Sequence, residues 1–156
     1  MSLERMDQAR RIFDDGDGYA LAMYCGGLAV ESLLRAFRWS EDRSFEGRHD
    51  LPELLKASGL LRVDEEDRRR DQVAGAEDRA RKVNLDLRVE VNSVAALWHN
   101  NLRYASEKSL MAFLKSAGRT RRLKGDALRK NARELLESAQ RIINRGQILW
   151  VSRKRS

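Results

Sequence analysis

Apolar residues recur at helical spacing along most of the chain, and the alternation typical of strands is almost absent. This pattern predicts amphipathic α-helices, each with one buried face. A first helix is expected over residues 3–14 and a second over residues 19–39. Apolar residues surround most of the second helix, so we expect it at the centre of the fold. Its adjacent glycines, Gly26 and Gly27, are expected to let another helix approach closely.

Later helices are marked by residues that favour helix ends. Side chains that cap a helix N-terminus alternate with glycines that end a helix. Residues 64–83 predict a weakly amphipathic, peripheral helix, and the continuous apolar face over residues 87–102 predicts one core helix. The expected starts are Asp50, Ser106 and Asp126, and the expected ends are Gly59, Gly118 and Gly146.

Together these elements predict an all-α fold, a compact antiparallel bundle of five to seven helices joined by short connections. The length of 156 residues is typical of one domain. We expect residues 1–146 to form a single helical domain and residues 147–156 to form a basic C-terminal tail.

Composition excludes several classes of protein. A single cysteine, Cys25, excludes a disulfide framework and is interpreted as a small buried hydrophobe. With only two histidines, His49 and His99, a metal site is not expected. No cofactor is expected, since no glycine-rich phosphate loop or nucleophile elbow is present. No membrane span or signal peptide is apparent, so the expected location is cytoplasmic.

Positive charge is concentrated towards the C-terminus. Residues 119–156 hold twelve basic and three acidic residues, while the whole chain has a net charge of +7. A basic surface attracts polyanions such as RNA, although charge runs also serve as solvated helix faces. The candidate phosphate-binding residues in this region are Arg119, Arg121, Arg122 and Lys124.

One acidic residue, Glu31, lies within the most apolar helix. A buried carboxylate is costly without a partner, so we expect a guanidinium beside it, from Arg103 or from Arg35 one turn away. This pair is either a structural ion pair or part of a polar cleft that binds a nucleotide or an RNA phosphate. In the second case His49 and Tyr104 would join the cleft.

Two other kinds of residue have alternative interpretations. His99 precedes Arg103 by four positions and is expected on the same helix face, as a surface histidine or as a member of the site. Trp39 and Trp150 end helices, where they pack against the bundle, form dimer contacts or act as stacking platforms.

The order and spacing of three groups of residues resemble the HEPN domains of prokaryotes. The groups are an apolar helix with a tyrosine and a glutamate, a His-Asp-Leu triplet at the next helix start, and a later Trp-x4-Arg-Tyr segment. The resemblance covers residues 8–145, and its motifs are moderately specific. The residues that carry it are Ala20, Tyr24, Gly27, Ala29, Val30 and Glu31, then His49, Asp50 and Leu51, then Trp98, Arg103 and Tyr104.

The resemblance implies a helical bundle that is typically dimeric and often acts as a ribonuclease, a toxin component or a partner of a nucleotidyltransferase. Catalytic members carry an Arg-x4–6-His motif, which only Arg43 and His49 match here. The candidate catalytic residues are therefore Arg43, His49, Arg103 and His99, and the candidate binding residues near them are Glu31, Asp50 and Tyr104.

These features predict a homodimeric protein that binds RNA or a nucleotide phosphate in a defence, toxin–antitoxin or RNA-processing system. Two alternatives remain open. One is a non-catalytic module that binds a nucleotidyltransferase, and the other is a metal-independent endoribonuclease toxin. Cleavage by attack of a 2′-hydroxyl needs a base, an acid and a cation on the phosphate, but no metal.

Overall fold

The computed structural model describes residues 1–40, 49–74, 85–121 and 125–154. In these residues the regular elements are seven α-helices and one short 3-10 helix, with no β-strand, which confirms the predicted all-α bundle. The helices are α1 (Ser2–Asp14), α2 (Tyr19–Trp39), α3 (Leu51–Ser58), α4 (Leu60–Ala74), α5 (Leu87–Leu97), α6 (Glu107–Ser116) and α7 (Ala127–Lys154), and the 3-10 helix η1 (Asn100–Tyr104) lies between α5 and α6.

Helix α2 lies at the centre of the bundle, as its apolar composition predicts. It packs against α1, α3 and α7 and also meets η1. Its length and its mean hydropathy of 1.3 would suit a membrane span, but 67% of its most apolar window is buried by the other helices. This burial is what a central core helix requires.

The two longest helices, α2 and α7, run side by side in the same direction. Gly26 on α2 faces Leu136 on α7, and further along both helices Leu33 faces Gly146. The prediction of antiparallel neighbours is therefore wrong for this pair. Among the described residues, five elements separate α2 from α7 along the chain, so no short connection forces them to pack antiparallel.

Most of the predicted helix ends are confirmed. The Asp50 carboxylate accepts a hydrogen bond from the amide of Glu53 at 3.0 Å, and Ser106 caps α6 in the same way. Asp126 accepts from the amide of Arg129 at the start of α7. Gly59 adopts a φ of 72° after α3, the left-handed conformation that glycine tolerates best.

The predicted end at Gly146 is wrong. Helix α7 passes through this residue and continues to Lys154, so residues 147–154 belong to the helix and are not a separate tail. Leu149 in this stretch is fully buried. Gly146 is small because the side chain of Leu33 occupies the space that a Cβ would need.

Residues 87–102 do not form one helix. Helix α5 ends at Leu97, and Trp98 and His99 are extended before η1 begins. The break places the Trp98 ring against Gly27, where its Nε1 donates to the carbonyl oxygen of Tyr24 at 3.1 Å. His99 and Arg103 therefore do not share a helix face.

The acidic run at residues 64–67 lies inside helix α4 and contacts helix α7. Helix α4 begins at Leu60, so these residues are not its first turn. Arg145 of α7 is only 4% exposed, and it donates to Asp64 at 2.7 Å and to Asp67 at 2.9 Å. The two carboxylates thus join α4 to α7 through a buried ion pair. Residues 75–84 lie outside the described residues.

Candidate functional site

The carboxylate of Glu31 is buried in the centre of the bundle and has two cationic or titratable neighbours. Its side chain is 4% exposed. Arg35 Nε donates to Oε1 at 2.6 Å, and His49 Nδ1 lies 3.0 Å from Oε1 and 2.9 Å from Oε2. The expected guanidinium partner is therefore Arg35, one turn along the same helix, and not Arg103.

The helical spacing of α2 and the capped start of α3 hold these side chains in place. Glu31 and Arg35 are four residues apart on α2, the spacing at which helical side chains meet. His49 directly precedes Asp50, which caps α3, and α3 packs against α2. The capped start of α3 thus fixes the backbone beside His49 and holds its imidazole against the central helix.

The exposures of the three side chains fall in a clear order. Glu31 is buried, Arg35 is 34% exposed and His49 is 54% exposed. With Nδ1 held by the carboxylate, the other ring nitrogen of His49, Nε2, makes no hydrogen bond to the described residues. A carboxylate on Nδ1 fixes the ring orientation and favours the tautomer in which Nε2 is free to accept a proton.

Arg103 and Tyr104 form a separate polar group on the outside of the bundle. The Arg103 guanidinium donates to the Tyr104 hydroxyl and also lies 4.3 Å from the centre of the Tyr104 ring. Hydrogen bonding to Tyr24, and then to Tyr104, raises the pKa of Arg103. Tyr24 precedes Glu31 by seven residues on α2, about 10 Å along the helix axis. The predicted single cleft is thus two neighbouring groups.

The remaining candidate residues are spread over the molecule. His99 packs edge-on against the ring of Phe113, with 4.7 Å between the ring centres. Arg119 donates to Glu134 at 3.0 Å, and Arg121 is exposed. The other three candidates lie outside the described residues: Arg43, Arg122 and Lys124.

Two arginines near the C-terminus are paired with acidic residues from earlier in the chain, and a third bonds to a tyrosine. Arg141 forms two hydrogen bonds to the carboxylate of Glu90, at 2.9 and 3.1 Å. Arg145 is buried with Asp64, as described above. Arg129 donates to the Tyr19 hydroxyl at 3.2 Å. Helix α7 therefore does not present the uniform basic face that the charge count suggests.

A groove of about 540 Å³ opens beside Arg35, and sequence analysis does not locate it. Residues of α2 and α7 line most of it, and Met1 closes one part. Trp39 projects from the wall with 57% of its surface exposed, while Trp150 packs edge-on against Phe37. Trp39 and Trp150 are the residues that could have indicated this groove from the sequence, because each is a large apolar residue near the end of a helix.

In the described part of the chain, no group of three His, Cys, Asp or Glu side chains is placed to hold a metal ion. A scan against models of protein families, a search of curated proteins and a search of solved structures each find no match to this chain. The arrangement of Glu31, Arg35 and His49 therefore has to be interpreted from its own chemistry.

Proposed function

We propose that this protein is a cytoplasmic, HEPN-like homodimer that binds RNA or a nucleotide phosphate through Arg35 and His49. One observation carries the proposal: a buried carboxylate orients an arginine and a half-exposed histidine side by side. Phosphate oxygens accept hydrogen bonds from a guanidinium group, and from the Nε2 of a histidine when that nitrogen carries a proton. Donors that are already oriented lose less entropy on binding, so the Glu31 carboxylate favours tight binding without touching the phosphate.

Binding is tested with a fluorescently labelled single-stranded RNA, measured by anisotropy at several salt concentrations. In Arg35→Gln we expect the affinity to fall about tenfold, or about 1.4 kcal/mol. The slope of log affinity against log salt should decrease by about one phosphate contact.

Arg69→Gln is the matched control. Arg69 also forms an ion pair with a glutamate four residues away, Glu65, but this pair lies on the surface of α4. We expect its affinity to stay within about twofold of the wild type, since an exposed pair contributes little. Equal losses in the two variants would contradict a specific site at Arg35. An affinity that does not change with salt would favour the alternative of a module that binds a nucleotidyltransferase.

The Glu31–His49 pair also favours a second candidate function, metal-independent RNA cleavage. In this reaction His49 Nε2 takes the proton of a 2′-hydroxyl, the 2′-oxygen bonds to phosphorus, and the bond from phosphorus to the 5′-oxygen breaks. The leaving oxygen needs a proton from an acid, which the second protomer of a homodimer would supply from its own copy of the site.

Cleavage is tested by incubating the protein with RNA in the presence of a chelator. Products ending in a 2′,3′-cyclic phosphate, lost in His49→Ala and retained in His99→Ala, would support this candidate. The two variants are matched, because they remove the two histidines of the chain one at a time. RNA that binds to the protein but is not cleaved would support the binding function and contradict the cleavage reaction. If the protein is a toxin, His49→Ala should also abolish growth inhibition.

A further inference from the structure

We propose that the groove beside Arg35 holds a nucleobase, stacked on Trp39, of the same nucleic acid whose phosphate Arg35 binds. This inference rests on the proposed function and adds a base-binding subsite to it. Three features of the groove support it: its size and walls, the exposure of Trp39, and the residue that it shares with the phosphate site.

The groove has the dimensions and lining of a small-ligand site. Its volume of about 540 Å³ lies within the range of ligand pockets, roughly 300–1,000 Å³. The walls are mainly apolar, from Ala36, Trp39 and Trp150, with the hydroxyl-bearing Ser32 among them. A flat aromatic ligand can bury its faces against such walls while its polar edges stay towards water.

The two tryptophans differ in how firmly they are held. Trp150 is anchored by the core, with its ring centre 5.1 Å from that of Phe37. Trp39 is 57% exposed at the end of α2. Stacking of a base on an exposed aromatic side chain contributes about 1–3 kcal/mol and does not depend on which base is bound. A purine should bind somewhat more tightly than a pyrimidine, because it buries more apolar surface.

Arg35 belongs to both sites. It donates to Glu31 and also lines the groove. Trp39 follows it by four residues on α2, a spacing that brings Cβ atoms within about 5–6 Å. A phosphate at Arg35 therefore places its own base, or the next one, within reach of the Trp39 ring.

The surroundings of the groove carry positive charge that suits a nucleic acid better than an apolar protein segment. Arg153 donates to the hydroxyl of Ser40, which lines the groove, at 2.7 Å. Lys154 Nζ lies 5.7 Å from the centre of the Trp150 ring. Arg153 and Lys154 thus add basic side chains beside the aromatic walls, and these attract a polyanion. The charge of Arg35, which lines the groove, is offset by Glu31.

The test compares two short RNAs that differ at one position, which carries either adenine or an abasic ribose. The full-length protein is assayed as wild type, Trp39→Leu and Arg35→Gln. Leucine keeps the side chain apolar but removes the aromatic face. For the adenine RNA we expect Trp39→Leu to lose about tenfold in affinity, and for the abasic RNA we expect almost no loss. Binding of the adenine RNA should also quench the tryptophan fluorescence of the wild type.

The controls separate the subsite from the phosphate site. Val89→Ala removes an apolar side chain that is 58% exposed on α5, outside the groove, and should bind both RNAs as the wild type does. Arg35→Gln should weaken both RNAs alike. If Arg35→Gln weakens binding but Trp39→Leu does not, the base subsite is wrong and the phosphate site stands. If the wild type binds neither RNA, the proposed function fails as well.

Sedimentation of the same variants tests whether a second copy of the chain occupies the groove. A wild-type dimer that becomes monomeric in Trp39→Leu, with RNA affinity unchanged, would assign the groove to the dimer interface and overturn the inference. An unchanged oligomeric state together with a loss confined to the adenine RNA would support it.

Discussion

Glu31 shows how one buried charge can organise a site. Taking a carboxylate out of water is costly, and two hydrogen-bonding partners offset that cost here. Because Arg35 and His49 both reach solvent, they keep their hydration on the outer side while Glu31 fixes them on the inner side. The buried residue therefore determines the geometry, and the exposed residues are the ones that the proposed function assigns to phosphate binding.

Replacing this carboxylate should lower the stability of the protein as well as its affinity for RNA. In Glu31→Gln the hydrogen bonds lose their charge, and we expect the free energy of unfolding to fall by about 1.5–3 kcal/mol. Urea unfolding measures this change. Glu65→Gln is the control, because its ion pair with Arg69 is exposed and should contribute less than about 1 kcal/mol. Similar losses in the two variants would show that Glu31 is not held as described.

Cys25 should behave as part of the core and not as a nucleophile. Burial raises the pKa of its thiol, with a smaller opposing effect from Arg5. The thiol therefore stays protonated at neutral pH, and we expect iodoacetamide to label it slowly in the native protein and rapidly in guanidinium chloride. Fast native labelling would contradict this burial.

The raised pKa of Cys25 also determines the direction in which the stability of the protein changes with pH. The folded state holds the thiol proton to higher pH than the unfolded state does. The contribution of this protonated thiol to the free energy of unfolding is therefore fully present below the pKa of an unfolded cysteine, about 8.5. It is lost as the pH rises from there through the folded value, and urea unfolding between pH 7 and 10 should show this loss.

The residue-level site was only partly predictable from the sequence. A glutamate in an apolar helix indicates a buried partner, and Arg35 follows at the spacing that a helix dictates. The choice between Arg35 and Arg103 depends on where Trp98 ends α5, which no local pattern reveals. The contact between Glu31 and His49 depends on how α3 packs against α2.

At the scale of elements, the positions of glycine residues determine where neighbouring elements come into close contact. Gly27 is in contact with the indole of Trp98, and the hydrogen bond from Trp98 to Tyr24 holds that ring in place. Gly26 meets the flexible end of Leu136, where a Cβ would come within 2.6 Å. The two glycines are adjacent in sequence, but they differ in how far their neighbours can move.

We expect Gly27→Ala to be the more damaging of two matched substitutions. The added methyl group would overlap a rigid, anchored ring, and overpacking of this kind costs about 1–3 kcal/mol or more. In Gly26→Ala the leucine can rotate away, and the gain in helix propensity of about 1 kcal/mol offsets part of the strain. Thermal unfolding of both variants gives the ranking. A more stable Gly27→Ala variant would show that the Trp98 ring is not packed there.

Local signals predict helix starts well and helix interruptions poorly. Asp50, Ser106 and Asp126 cap the helices that their positions predict, because a cap needs only neighbouring residues. The break at Trp98 serves a contact 74 residues away, and Gly146 is small because of Leu33 on another helix. Tertiary packing decides both, so sequence periodicity extends one helix too far and the glycine signal ends the other too early.

At the scale of the whole molecule, the charge that a helix presents to solvent depends on which side chains are paired, and not only on where basic residues lie in the sequence. Two arginines of α7 pair with acidic residues of α4 and α5, Arg145 with Asp64 and Arg141 with Glu90. The net charge of +7 remains, but fewer cations are available to phosphates than the sequence suggests. Arg35 is paired as well, with Glu31, and we place the proposed nucleic-acid site there because Arg35 shares that carboxylate with His49 and lines the groove where α2 ends.

The buried pair of Arg145 with Asp64 and Asp67 links α4 to α7. In Arg145→Met the two carboxylates would lose a partner that is 4% exposed, and breaking such a pair costs about 3–5 kcal/mol. Arg141→Met is the matched control. It removes an ion pair of the same helix whose arginine is 49% exposed, and its cost should stay below about 1 kcal/mol.

A double variant separates the ion pair from general packing in this region. If the loss in Arg145→Met comes from carboxylates that have lost a cation, then adding Asp64→Asn should recover part of it. In the single variant Asp64 keeps Arg68 at 3.1 Å as a partner, and in the double variant its charge is gone. Additive losses in urea unfolding would instead assign the effect to packing. Helix α7 also supplies Trp150 to the groove, so loss of its ion pair with α4 should disturb the groove as well. We therefore expect Arg145→Met to weaken binding of the adenine RNA more than binding of the abasic RNA.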